Sequence, residues 1–288
     1  MDADMIGTEA PRARIEGGLT EEELKTFETD GFLVIPGALT PQEVDRYREA
    51  VDGVYSRIGT PGRTLHTLAF LGQDETFLDV LAHPRTFPMV VHLLGYNIFM
   101  FHCHLDVHPT EPKPEKNIWM WHQDGSVINR DIESIPRPRM SVKLAYFLTD
   151  VSEPGFGNFT VLPGSHLWNE IDRPADDDND LPGSIPVLAS PGDAVFFDRR
   201  LWHARSRNYS DRTRKAIFFA YTFRWVRNRD DMYLPPEMIQ KLDPVQRQLL
   251  DRRDEAAIDY WMPDGVDLPV REMFEGPRVA KAPAGGMM

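Results

Sequence analysis

The stretch from Asn97 to Trp225 constrains this chain most. It is a succession of short apolar or alternating runs, each closed by Pro, Gly, Asn or Asp, and no regular helical pattern separates them. Parallel sheets need helical crossovers, so this spacing specifies antiparallel strands stacked as a sandwich or barrel. The runs place strands at Ile98–His108, Trp119–Gln123, Ser141–Leu148, Asn158–Leu162, Ile185–Leu188, Ala194–Asp198, His203–Asn208 and Ala216–Arg224. That many strands in one block suggests a jelly roll.

Helices flank this mainly β core. Thr20 with Glu23, and Thr40 with Pro41 and Glu43, are capping boxes: a hydroxyl and a carboxylate three residues apart satisfy the free N–H groups of a helix start. Behind the second box Val44, Tyr47, Val51 and Val54 recur at helical steps and form one core-facing stripe. GFLVIP at Gly31–Pro36 is a short strand candidate, Arg85–Leu94 a third helix stopped by Gly95, and helical spacing returns around Pro236–Arg253. The domain expectation is a flexible segment over 1–18, one domain over 19–275 with its β core at about 97–225, and a flexible tail over 276–288. Within it, the aspartate-rich run Asp172–Asp180 reads as a solvated loop.

Composition narrows the function. The 288 residues carry a net charge of −13, which disfavours a broad footprint on nucleic acid or an anionic membrane. Cys103 is the only cysteine, so no intrachain disulfide and no cysteine zinc cluster can form. No apolar run at the front serves as a signal sequence, and the expectation is a cytoplasmic protein acting on a small molecule, with its oligomeric state left open.

The chemistry is concentrated in Trp121-His122-Gln123-Asp124-Gly125. On a strand, His122 and Asp124 point to one face and could share a metal ion. Downstream of the turn Pro191-Gly192-Asp193 and the strand AVFFD comes His203. Two imidazoles and one carboxylate with open positions form the facial triad that suits non-haem Fe(II) and O₂. An H-x-D triplet alone is weak. Arg214 adds weight, because a turn through Asn208, Ser210 and Asp211 would return its guanidinium toward the metal, and its fork of donors suits the far end of a small dicarboxylate.

With these motifs in order, the chain resembles the phytanoyl-CoA dioxygenase family of Fe(II)- and 2-oxoglutarate-dependent oxygenases. The likeness runs from DGFLVIPGALT through WHQDG, the segment Ala145–His166, PGDAVFFD, His203 and NYSDRTR, about two thirds of the chain. It implies a double-stranded β-helix, with His122, Asp124 and His203 as catalytic iron ligands and Arg214 on the remote carboxylate of 2-oxoglutarate. It also implies cosubstrate contacts from Tyr146 and His104, for which a core tyrosine and a satisfied core histidine are the rival readings. Iron, 2-oxoglutarate and O₂ are the expected cofactors, with ascorbate a candidate reductant. The expected outcome is hydroxylation, desaturation or cyclisation at an unactivated C–H bond with release of succinate and CO₂, with natural-product tailoring and catabolic hydroxylation both open as its setting. Asp124 frees no ligand position for a halide, which disfavours halogenation.

One departure stands out. Arg205 occupies a position where the family often has a small hydroxyl residue, and by alternation it shares His203's face. It either strengthens the 2-oxoglutarate site, meets an anionic group of the substrate, or reaches solvent. His102, His104, Asp106 and His108 alternate on one strand, and zinc is the rival reading of that row. Three histidines at such spacing span too far for one tetrahedral ion without a bend. His166 and Trp168 read as turn residues, and Trp119, Trp121, Trp202 and Trp225 as core mass. From another function class, the alternative is a cupin-like protein that binds a metal and a small ligand without turnover.

Overall fold

The computed structural model describes residues 15–113, 120–172, 181–252 and 268–276. Most of the segment 1–18, Trp119, most of the aspartate-rich run and nearly all of the tail lie outside them. In chain order the elements are α1 (Glu21–Asp30), β1 (Phe32–Ile35), α2 (Pro41–Ile58), β2 (Leu65–Leu68), α3 (Phe87–Leu94), β3 (Ile98–His108), α4 (Ser126–Asp131), β4 (Ser141–Phe147), β5 (Phe159–Val161), β6 (Ile185–Pro186), β7 (Ala194–Asp198), β8 (His203–Arg205), β9 (Arg214–Phe223), α5 (Pro236–Lys241), α6 (Pro244–Leu249) and α7 (Pro269–Glu275).

Both capping boxes form, with Thr20 and Thr40 each accepting from the backbone N–H three residues on while Glu23 and Glu43 reach back. The C-terminal helical region is two short helices, because Leu242 is extended and Asp243 caps a new start at Pro244.

Two antiparallel sheets make the jelly roll. The larger has strand order β1-β7-β4-β9-β3-β2 and the smaller β6-β5-β8. Between them lie Ala145, Phe147, Phe159, Val161, Val195, Phe197, Ala216 and Phe218. The other face of the large sheet, including Leu144, Tyr146, Phe196, Ile217, Phe219 and Tyr221, packs against the helices. Both faces of β3, β4 and β9 are therefore covered, which is why nearly every residue in them is buried whatever its parity. Polar residues on the inward-facing positions are the exception that marks the site.

Two strands differ from expectation. Trp119–Gln123 forms no ladder among the described residues; only His122 bridges, to His203. The unexpected β2 pairs with β3 at the edge of the large sheet, placing His66 opposite Asp106. Trp121 and Trp202 are buried, whereas Trp168 and Trp225 are about half exposed, Trp225 stacked on Phe223 at 5.3 Å. His166 is buried in a short 3₁₀ turn and bonds the Glu28 carbonyl at 3.2 Å.

Candidate metal centre

His122 and His203 face each other across a two-way backbone pairing, each N–H donating to the other's carbonyl at 3.0 Å. This puts the rings 4.3 Å apart between centroids. A carbonyl can only accept, so the contacts from His122 Nδ1 to Met120 O (2.9 Å) and from His203 Nδ1 to Leu201 O (2.8 Å) put a proton on each Nδ1. Each neutral ring then keeps its lone pair on Nε2. Asp124 Oδ1 stands 3.9 Å from His122 Nε2, and one donor atom from each of His122, Asp124 and His203 lies within 4.8 Å of the others. Two imidazole nitrogens and one carboxylate oxygen converging in this way are a facial set with room for further ligands.

The electrostatics keep His203 and Asp124 unprotonated. Burial pushes His203 down to about 3, helped by the neighbouring His122 ring. Burial alone would raise the Asp124 carboxyl, but the Lys143 ammonium and the two imidazoles hold it well below the usual carboxylate range. The cup is lopsided: the His203 side is sealed by Phe159 and Phe197, while the His122 side chain is 53% exposed.

The turn carrying His122 and Asp124 is fixed from behind. The Gln123 side chain points away from the ligands and donates to the carbonyls of Trp168 (2.8 Å) and Arg200, while Arg137 donates to its oxygen at 3.2 Å. Gly125 adopts φ +84°, and a Cβ there would come within 2.8 Å of Arg199 Nη1. That same Nη1 donates to the Asp124 carbonyl at 3.0 Å.

Lys143 was not foreseen. It projects inward from β4, is buried, and its Nζ lies 2.9 Å from Asp124 Oδ2. The available signal was a lysine in the otherwise apolar run SVKLAYF. Arg214, also inward, is clamped between Phe147 and Phe218, its Cζ 5.3 and 5.6 Å from their centroids. Its Nη1 donates to Asp106 Oδ2 at 3.1 Å, while its buried Nε has no hydrogen-bond partner among the described residues. Arg205 is a third exposed and donates to Glu111 Oε2 at 2.8 Å, so its anionic partner comes from the chain itself.

His104 faces inward, stacked on Phe218 at 4.1 Å and bonded through Nδ1 to His102 Nε2 at 3.1 Å. Tyr146 does not share this interior. It occupies the opposite face of β4, its hydroxyl 2.6 Å from that of Thr86 and its ring against Phe219, so the rival reading as a core tyrosine describes it.

The profile of the phytanoyl-CoA dioxygenase family (PhyH) matches residues 27–216. The chain is similar to the dioxygenase andF of Emericella variicolor, at 26% identity over 81% of this chain and 85% of that protein. It is 27% identical to the ectoine dioxygenase of Stutzerimonas stutzeri, over 70% of this chain and 76% of that one. Among solved structures it resembles HygX from Streptomyces hygroscopicus with nickel and 2-oxoglutarate bound, with TM-score 0.63 and 20% identity, covering 75% of this chain and 96% of the other. The carbocyclase SnoK from nogalamycin biosynthesis gives TM-score 0.57 and 20% identity over 73% of this chain and 86% of the other. At these identities the structural likeness is one of fold.

Proposed function

We propose, from the premise that the chain belongs to the phytanoyl-CoA dioxygenase family, that His122, Asp124 and His203 hold the iron of an Fe(II)- and 2-oxoglutarate-dependent dioxygenase. The observation that carries the assignment is the convergence of two Nε2 lone pairs and one carboxylate oxygen, each ring oriented by a carbonyl. When bound, iron with 2-oxoglutarate and O₂ supplies the oxidising power for a C–H bond, with succinate and CO₂ released.

The chain's own residues bind and orient. Arg214 receives the remote carboxylate of 2-oxoglutarate: its orphaned Nε is a donor awaiting an acceptor, and Phe147 and Phe218 fix the guanidinium plane. Lys143 secures Asp124 Oδ2, leaving Oδ1 on the side of His122. Arg205, steadied by Glu111, supplies positive charge near Arg214 and His108, where an anionic group of the substrate or cosubstrate would be met. Phe159 and Phe197 keep water from the His203 side. The substrate is a small organic molecule, and hydroxylation, desaturation or cyclisation of the kind used in tailoring biosynthesis is the reaction class.

The test is succinate formation from 2-oxoglutarate with Fe(II) in oxygenated buffer, which such enzymes show slowly without prime substrate. Asp124→Ala should abolish it while circular dichroism stays unchanged. Full succinate release by that variant would overturn the ligand assignment.

A further inference from the structure

The row His102, His104, Asp106, His108 takes no part in the triad, and three histidines at this spacing along one strand span too far to close together on one ion. The fold supplies what the row lacks. Strand β2 brings His66 opposite Asp106, and one donor atom from each of His66, His104 and Asp106 lies within 4.8 Å of the others. The construction repeats that of His122, Asp124 and His203. An H-x-D pair lies along one segment and a histidine comes from a neighbouring segment paired to it in the backbone. In both, one carboxylate oxygen faces an imidazole and the other a buried cation, although Asp106 Oδ2 also lies 3.5 Å from His108 Nε2. Asp106 Oδ1 is 2.6 Å from His66 Nδ1 and Oδ2 is 3.1 Å from Arg214 Nη1.

A second line of evidence concerns protons. The Asp230 carboxylate accepts from His102 Nδ1 at 2.6 Å, so neutral His102 presents its Nε2 as an acceptor. His104 Nδ1 must then donate to that Nε2 across 3.1 Å, and the His104 lone pair is on Nε2. A carboxylate and a histidine behind a ligating histidine are what fixes tautomer and ring direction at metal sites. His66 is 55% exposed, which gives an ion a way in at the edge of the sheet.

We propose that His66, His104 and Asp106 form a second site for a borderline divalent ion, zinc being the best match to two imidazoles and a carboxylate with solvent completing the shell. The ion replaces the proton shared by His66 Nδ1 and Asp106 Oδ1. That proton moves to Nε2 of His66, and the 2.6 Å gap opens to about 3.4 Å, the ligand separation that tetrahedral bonds of about 2.0–2.2 Å require. The ion clips the short edge strand β2 to β3.

Untagged full-length apoprotein, titrated with zinc and read by native mass spectrometry, tests this. His66→Ala should lower the bound zinc by one equivalent relative to the parent, and Asp106→Asn by the same one. Asp124→Ala removes a different equivalent, so His66→Ala with Asp124→Ala together should lose two. Zinc should also raise the melting temperature of Asp124→Ala, and this shift should vanish when His66→Ala is added. An unchanged equivalent count on His66→Ala, in either background, overturns the second site and leaves the His66–Asp106 contact as a hydrogen bond. The triad assignment stands or falls separately, on the equivalent lost with Asp124→Ala.

Discussion

At the scale of single residues, the site is a set of charges buried in pairs. Lys143 and Asp124 are both largely withdrawn from water, so removing the ammonium leaves a carboxylate with neither solvent nor counter-ion. Lys143→Met should destabilise the metal-free protein by about 3 kcal/mol or more. Saturating divalent metal should recover much of that loss by replacing the missing charge, so urea midpoints measured with and without metal must diverge. Equal losses in the two conditions would sink the idea. Arg214→Ala should raise the KM for 2-oxoglutarate by a factor corresponding to about 2–4 kcal/mol, the cost of truncating a desolvated charge pair. Tyr146→Phe is the matched control. It gives up one buried hydroxyl contact to Thr86, costs about 1 kcal/mol of stability, and should leave that KM unchanged. The side on which Tyr146 lies is not legible in the sequence for a physical reason: β4 is buried on both faces, so apolar alternation offers no contrast between core side and site side. Counting parity from Lys143 would have separated them, but only with Lys143 known to face inward.

At the scale of elements, legibility follows how each segment is stabilised. Strand β7 occupies the expected residues because burial on both faces demands a short apolar run, and β3 because an apolar start at Ile98–Phe101 continues into strict alternation of polar and apolar residues. The β2 strand escaped notice since only four residues pair and two of them are exposed, which leaves a pattern no stronger than a loop's. The spacing predicts a strand over Trp119–Gln123, yet the segment is an irregular turn held by the His122–His203 backbone pairing, the bond from Asp124 N–H to the Arg199 carbonyl and the Gln123 side chain. The H-x-D spacing was legible because both ligands still project to one side. The turn also depends on Gly125. Gly125→Ala forces a left-handed conformation on a residue with a Cβ, at about 1–2 kcal/mol, and pushes Arg199 off the Asp124 carbonyl. The expected result is a fold retained by circular dichroism with metal affinity several-fold weaker in a titration; unchanged affinity would show that the turn tolerates the shift.

At the scale of the molecule, the helices buttress one face of the large sheet and leave its other face to an interior where a few buried polar side chains are set among apolar ones. No helix among the described residues is long and apolar enough to cross a membrane. Burying histidines couples stability to pH. His102, His104, His108, His166 and His203 are all held below their ordinary value, burial being the first cause in each. Below about pH 6.5 the unfolded chain takes up protons that the folded chain refuses, so stability is full above that pH and falls beneath it. Each ring contributes up to about 1.4 kcal/mol per pH unit. Asp106, Asp198 and Asp230 are held down by their cationic and imidazole neighbours against the effect of burial, and they add a second loss below about pH 4. Urea midpoints of the metal-free protein should drop clearly between pH 7.5 and 5.5, and a flat profile across that interval would contradict the assignment of neutral buried rings.

The lopsided cup around His122 and His203 bears on exchange kinetics. One ligand ring is walled in by phenylalanines while the other stands half in water. A chelator can therefore approach along the His122 side of the native protein, and the ion's departure need not wait for the sandwich to open. For an ion held as proposed, loading and stripping would be reversible events at constant fold, timed by breaking of ligand bonds from the wet side inward.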